Sequence, residues 1–276
     1  MRIAVYSAVI AALLLFPQIC AQSAREALTI WGLHIVPTLF PYMVVSKMLA
    51  SQIRKTAFPP TIASMLLGVL GGSPSGASII QSCSSRLTHK TILTLCAFTG
   101  TISPMFFLGI LSNWTNDSAL SAQLLFSHLS GAAVSALCVY LFSSRYSHSC
   151  NDPAHPLQSG SPLSESIDAI LQVGGCIICF SVAAGLLHLL PLPKEIIPVL
   201  HALLEISGGA HALIEAPISL PFKKLFLAFT TGFSGGSILS QNSLFVKPLG
   251  IHPYTLFFFA ITRGIFAALI MTILFL

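Results

Sequence analysis

Arg263 stands in the middle of an apolar run, with Phe257-Phe258-Phe259-Ala260-Ile261 before it and Ile265-Phe266-Ala267-Ala268-Leu269-Ile270 after it. If that run crosses a membrane, a guanidinium at its centre costs about 2.5–3.5 kcal/mol on insertion scales. Such a group must meet an acid, backbone carbonyls or an anionic ligand; the alternative is a helix that starts later and leaves Arg263 at its edge. Glu205 is the candidate acid. It lies in HALLEISGGAH (201–211), where glycines open the helix just after the carboxylate. A membrane carboxylate beside a broken helix can bind a proton, a sodium ion or a substrate hydroxyl, or serve as a static ion-pair partner. His201 and His211 flank it, but a spacing of ten is not that of two metal ligands on one helical face.

Two further stretches carry polar groups into apolar surroundings. LGGSPSGASIIQS (70–82) and GFSGGSILSQNS (232–243) are built of the same residue types. Glycine loosens the backbone and proline removes an amide donor, so neither stretch should continue as a regular helix. Unpaired backbone inside hydrocarbon costs several kcal/mol, so it persists only where protein or a wet cavity satisfies it. Ser73, Ser75, Gly76 and Gln81 from the first stretch are therefore candidate binding groups, as are Ser234, Gly235, Ser237, Gln241 and Asn242 from the second. Helix N-termini beginning after these glycines would direct free N–H groups at a solute. Ordinary loops, or small residues for close helix packing, are the plainer alternatives.

The chain that must position these groups has 276 residues, of which 54% are hydrophobic and 8% charged. Its mean hydropathy is +0.86. A soluble domain carries about 25% charged residues, so the composition is that of an integral membrane protein. Its net charge of +5 includes no basic run longer than two residues, which excludes a surface for tracking nucleic acid. Seven cysteines, most of them in apolar segments, read as small packing residues. Spanning segments are expected at roughly 3–22, 28–50, 91–112, 120–143, 166–190 and 254–276, with shorter or interrupted ones near 58–70, 196–216 and 224–231. The first can also be read as a cleavable signal peptide, though a retained span is the more economical reading.

This gives an all-α, polytopic transmembrane bundle in two halves. Residues 1–143 form the first half, with a re-entrant hairpin near 58–83. A polar linker follows at 144–165. The second half is 166–276, with a re-entrant hairpin near 224–245. Placing Gly72 on Gly232, an offset of 160 (232 less 72), also places Gly76 on Gly236 and Gln81 on Gln241, as in an internal repeat of direct or inverted form. Basic residues at Arg54-Lys55, Arg86/Lys90, Arg145 and Lys223-Lys224 put both interruptions on one side, in conflict with an inverted arrangement.

Trp31, the segment from Val36 to Tyr42, the run from Gly71 to Ala77, Leu204-Glu205-Ile206-Ser207 with Gly209, the turn from Phe233 to Ser237 and the late Arg263 occur in a characteristic order. In this the chain resembles the nucleoside-recognition, or Gate-domain, membrane proteins, and is most similar to their YlbJ-like sporulation branch. The resemblance implies two re-entrant hairpins meeting broken helices near the membrane midplane, and movement of a dipicolinate-like dicarboxylate across a bacterial cytoplasmic or forespore membrane. The chain departs from that pattern in its serine-rich hairpins and in lacking a histidine soon after the second glycine pair.

The leading expectation is a small-solute transporter or permease for a small anionic metabolite, with Arg263 supplying positive charge. Nucleoside or nucleobase transport is the alternative within that class, and a non-transport assembly factor in sporulation is the alternative outside it. No cofactor or metal is expected, although H+ or Na+ coupling fits such a site; the expected partners are the solute and membrane lipid. With no paired-carboxylate site, GxSxG elbow, metal-ligand cluster or P-loop in the sequence, an enzyme is not expected.

Overall fold

The computed structural model describes residues 2–53, 56, 58–143 and 161–276. Arg54-Lys55, Arg145, Cys150 and most of the 144–165 linker lie outside the described residues. Among the described residues the ordered elements are all helical. Three long helices match expected spans: α8 (Ser118–Phe142), α9 (Pro162–Gly185, prolonged by a 3-10 turn to Leu189) and α14 (Pro253–Phe275).

The N-terminal spans divide differently from expectation. Helix α1 (Arg2–Leu15) ends at Phe16, and Pro17 opens the next helix from its first position, where a missing amide does no harm. That helix, α2 (Pro17–Ile30), runs through a π-helical segment (Trp31–Ile35) into α3 (Val36–Ile53), making one rod of 37 residues. Pro37 has no amide to bond back one turn, and the helix widens just before it.

The expected span 91–112 is not continuous. Helix α6 (His89–Thr99) stops at Gly100, and the chain is non-helical through Ser103. A π-helical stretch (Phe106–Leu111) and the short α7 (Ser112–Thr115) then carry it onward. Pro104 explains the restart: it biases the residue before it away from helical backbone, yet is well suited to a helix start.

Helices α4 (Pro60–Gly71) and α5 (Ser75–Cys83) pack against each other around a turn at Gly72-Ser73-Pro74, forming a helical hairpin. The second fold-back falls earlier than expected. Helices α10 (Ile197–Leu204) and α11 (Ile206–Glu215) close on each other around Glu205. A Cβ on Gly209 would lie 2.1 Å from Ala202 Cα, so the two arms touch backbone to backbone.

By contrast α12 (Leu220–Phe233) and α13 (Gly235–Val246) do not fold back on each other. Helix α13 leaves to pack on α5, α9 and α14, while α12 stays with α8 and α14. The segment near 224–245 is therefore a broken helix rather than a hairpin. The offset of 160 matched residue types but not shapes: it sets the folded-back α10–α11 against unbroken α3, and unbroken α14 against the interrupted 89–115 helix.

The centre of the molecule is the contact of α8, α12 and α14. A Cβ on Gly131 would lie 2.7 Å from Ala267 N, and one on Gly232 would lie 2.9 Å from Gly264 Cα. Small residues at such crossings let helix backbones approach where no hydrophobic force drives association. This crossing fixes where Arg263, one residue before Gly264, must sit.

Candidate functional site

Four departures from helical geometry meet inside the bundle. They are the two hairpin tips, at Ser73 and Glu205, and the two helix breaks, at Gly100–Ser103 and Ser234. The Ser73 amide donates to the Thr101 carbonyl at 2.8 Å, joining the first tip to the first break. The Ser73 hydroxyl donates to Asn242 Oδ1 at 2.8 Å and lies 3.4 Å from Gln241 Oε1. Asn242 Nδ2 in turn donates to the Gly100 carbonyl at 3.3 Å. At the second break Ser234 and Gly235 both take positive φ, 75° and 83°. A Cβ on Gly235 would stand 3.2 Å from the Ile206 amide nitrogen, so this break abuts the second tip.

The hydrogen-bonded bridge of Ser73, Asn242 and Gly100 has space on either side. The larger cavity, partly open to its surroundings, is lined by Thr38, Ser73, Ser103, Glu205, Ser207, Ser237 and Gln241 within an apolar wall that includes Ile35, Phe106 and Val173. The smaller is lined by Cys96, Thr99, Gly100, Asn242 and Arg263 together with aliphatic side chains. The two differ in electrostatic polarity. Ser207 and Ser237 belong to the first turns of α11 and α13, the electropositive helix ends; Cys96 and Thr99 belong to the last turn of α6, an electronegative end.

Glu205 is 1% exposed. Its two carboxylate oxygens accept from the Ser207 amide at 2.9 Å and the Gly208 amide at 2.7 Å, capping α11 from the chain that forms it. Arg263 is 2% exposed. Its Nη1 lies 3.3 Å from the Ala97 carbonyl and 3.5 Å from that of Cys96, and its Nε 3.4 Å from the Gly232 carbonyl. The expected Glu205–Arg263 ion pair is not made. The one ion pair among the described residues joins Lys47 to Glu165. Each buried charge has met backbone instead, the acid at a helix N-terminus and the base at carbonyl-rich C-termini.

The other expected site residues divide. Ser73, Ser237 and Gln241 line the larger cavity, and Asn242 lines the smaller while bonding across to Ser73. Gln241 Nε2 also donates to the Ser237 hydroxyl at 3.2 Å. Gly76 packs on Thr99, whose carbonyl lies 2.8 Å from where a Cβ would be. Ser75 is buried in the first turn of α5 but lines neither cavity, and Gln81 is half-buried two turns along the same helix. Ser234 turns its hydroxyl onto the Thr231 carbonyl, closing the end of α12. Thr101 and Ser103 were not anticipated, although Gly100-Thr101-Ile102-Ser103-Pro104 carries the same glycine, serine and proline signal as the segment at 70–82. Ser207 carries part of it, in Ser207-Gly208-Gly209, and Thr38, within an otherwise helical run, does not.

A bundle of apolar helices long enough to span a bilayer, enclosing broken helices and buried polar groups, defines a multi-pass integral membrane protein. The chain is similar to the sporulation integral membrane protein YlbJ of Bacillus subtilis (strain 168), with 22% identity over an alignment that covers 94% of this chain and 78% of that protein. No family model matches the chain, and no solved structure matches it.

Proposed function

We propose that this protein is a small-solute permease of a bacterial membrane, with the larger cavity as its solute site. The observation that carries the reading is the meeting of two hairpin tips and two helix breaks around one cavity whose apolar wall carries a cluster of polar groups, Ser73, Ser103, Glu205, Ser207, Ser237 and Gln241. Irregular backbone inside a membrane persists only where protein or a wet cavity satisfies it, and solute sites of secondary transporters are built from interrupted helices of two matched halves.

An internal repeat fits the elements at an offset of 131 (220 less 89). This sets His89 on Leu220, Ser103 on Ser234 and Thr115 on Val246, so the start, break and end of the two broken helices coincide. Each broken helix then follows a hairpin (α4–α5, α10–α11) and precedes a long helix (α8, α14). In this reading both hairpins are re-entrant.

The chemistry of the cavity favours an uncharged solute with hydroxyl or amine donors, in the manner of a nucleoside or nucleobase. Glu205 is its single ionisable lining residue. Two helix N-termini at about +0.5 each roughly balance one carboxylate. The dicarboxylate expectation depended on Arg263 reaching the solute, and the guanidinium lines the other cavity. Similarity to a protein named for sporulation supports a role in that process. The test is solute flux in proteoliposomes, with nucleosides and dipicolinate compared side by side for wild type, Glu205→Gln and Ser237→Ala. Nucleoside flux reduced about tenfold or more by either substitution, the loss of one charged or buried hydrogen bond, supports the proposal. Flux of neither solute by well-inserted wild type refutes it, and flux of dipicolinate alone refutes the choice of solute.

A further inference from the structure

Arg263 has no acidic partner, does not line the larger cavity and is nevertheless nearly inaccessible. Its surroundings supply the missing counter-charge. Cys96 and Ala97 are in the last turn of α6, whose C-cap is Gly100, and Gly232 is in the last turn of α12, whose C-cap is Ser234. The guanidinium, carried on α14, thus touches the C-terminal end of the first half of each broken helix. Its contacts of 3.3–3.5 Å are long for hydrogen bonds. The main interaction is that of a unit charge with two helix ends, each equivalent to about −0.5 charge. Two such ends make close to one full negative charge, which is why a buried arginine is stable here without a carboxylate. Nη2 has no protein partner, and the side chain borders the smaller cavity beside Asn242.

We infer that Arg263 is a positioning residue, a cationic clamp that holds the two helix breaks together and sets the distance between them, rather than a ligand for solute. The clamp ties α6 and α12 to α14, so one break cannot loosen without withdrawing counter-charge from the guanidinium that also holds the other. The inference concerns how the breaks are held and stands whether or not the larger cavity carries solute.

Hydrogen exchange of the purified protein in lipid nanodiscs tests it without reference to transport. Wild type, Arg263→Lys, Arg263→Gln and Arg263→Met are compared at amides in 96–103 and 229–237, with 170–178 of α9 as an internal reference. Removing the charge should speed exchange at both breaks together by about tenfold or more, while the reference segment stays unchanged. Lysine, which keeps the charge, should hold both within a few-fold of wild type. If the Gln and Met proteins cannot be purified, the Lys protein is read alone, and a small rise confined to the two breaks supports the clamp. Unchanged breaks in the Gln protein, loosening of one break only, a rise spread over the reference segment, or equal loosening by Lys and Gln each overturn it. Failure of the flux assay leaves all of these readouts intact.

Discussion

Replacing Gly209 by alanine adds one methyl group at the tightest contact in the second hairpin. The new Cβ would lie 2.1 Å from Ala202 Cα, 2.2 Å from Ala202 N and 2.7 Å from Ala202 Cβ. Carbon atoms in comfortable contact stand about 3.5–4.0 Å apart, so α10 and α11 must separate by roughly 1.5 Å. No rotamer relieves this, because the obstruction is backbone and the added group has no torsion. Overpacking of this kind costs about 1–3 kcal/mol. Gly175 is the control: it also lies within a helix, but a Cβ there meets nothing within 4 Å. Gly175→Ala should be neutral or stabilise by up to about 1 kcal/mol through helix propensity alone. Thermal unfolding in detergent, followed by size-exclusion fluorescence, measures both. Gly209→Ala should lower the midpoint by several degrees, at about 2–4 °C per kcal/mol, and Gly175→Ala should not lower it. Equal midpoints for Gly209→Ala and wild type would refute the backbone-to-backbone hairpin, and with it the placement of Glu205 at a tip.

Two other perturbations address the joints around the cavity. The bond between Ser73 and Asn242 should appear in a double-mutant cycle of Ser73→Ala and Asn242→Ala as a coupling of about 0.5–1.5 kcal/mol in unfolding free energy; additive effects would mean the bridge is not formed. Lys47 and Glu165 lie 3.3 Å apart with side chains 13% and 31% exposed, so Glu165→Ala should cost less than about 1 kcal/mol and the cost should shrink at high salt.

Much of the site was legible because its signals are local. A glycine, serine or proline run inside apolar sequence breaks a helix wherever it lies, and both runs at 70–82 and 232–243 do so. The same rule, applied to Gly100–Pro104, would have found the remaining break in the first half. Glu205 was legible too, since a carboxylate in an apolar run needs a partner. What that partner is was not legible. The interrupted segments near 196–216 and 224–245 read alike in sequence, and whether each folds back or runs on depends on contacts remote in the chain.

Composition settled that the protein lives in a membrane, because 54% hydrophobic and 8% charged residues suit no other solvent, and apolar runs of about 20 residues rather than short alternating ones settled that it is helical. Residue type alone settled where helices must break. Tertiary structure decided which breaks become hairpins, through the close approach of Gly209 to Ala202 and the departure of α13 from α12. It also decided that Arg263 and Glu205 stay apart. A charge in low dielectric takes whatever opposite field lies nearest, and helix ends, which carry no letter in a sequence, were nearer than either residue was to the other.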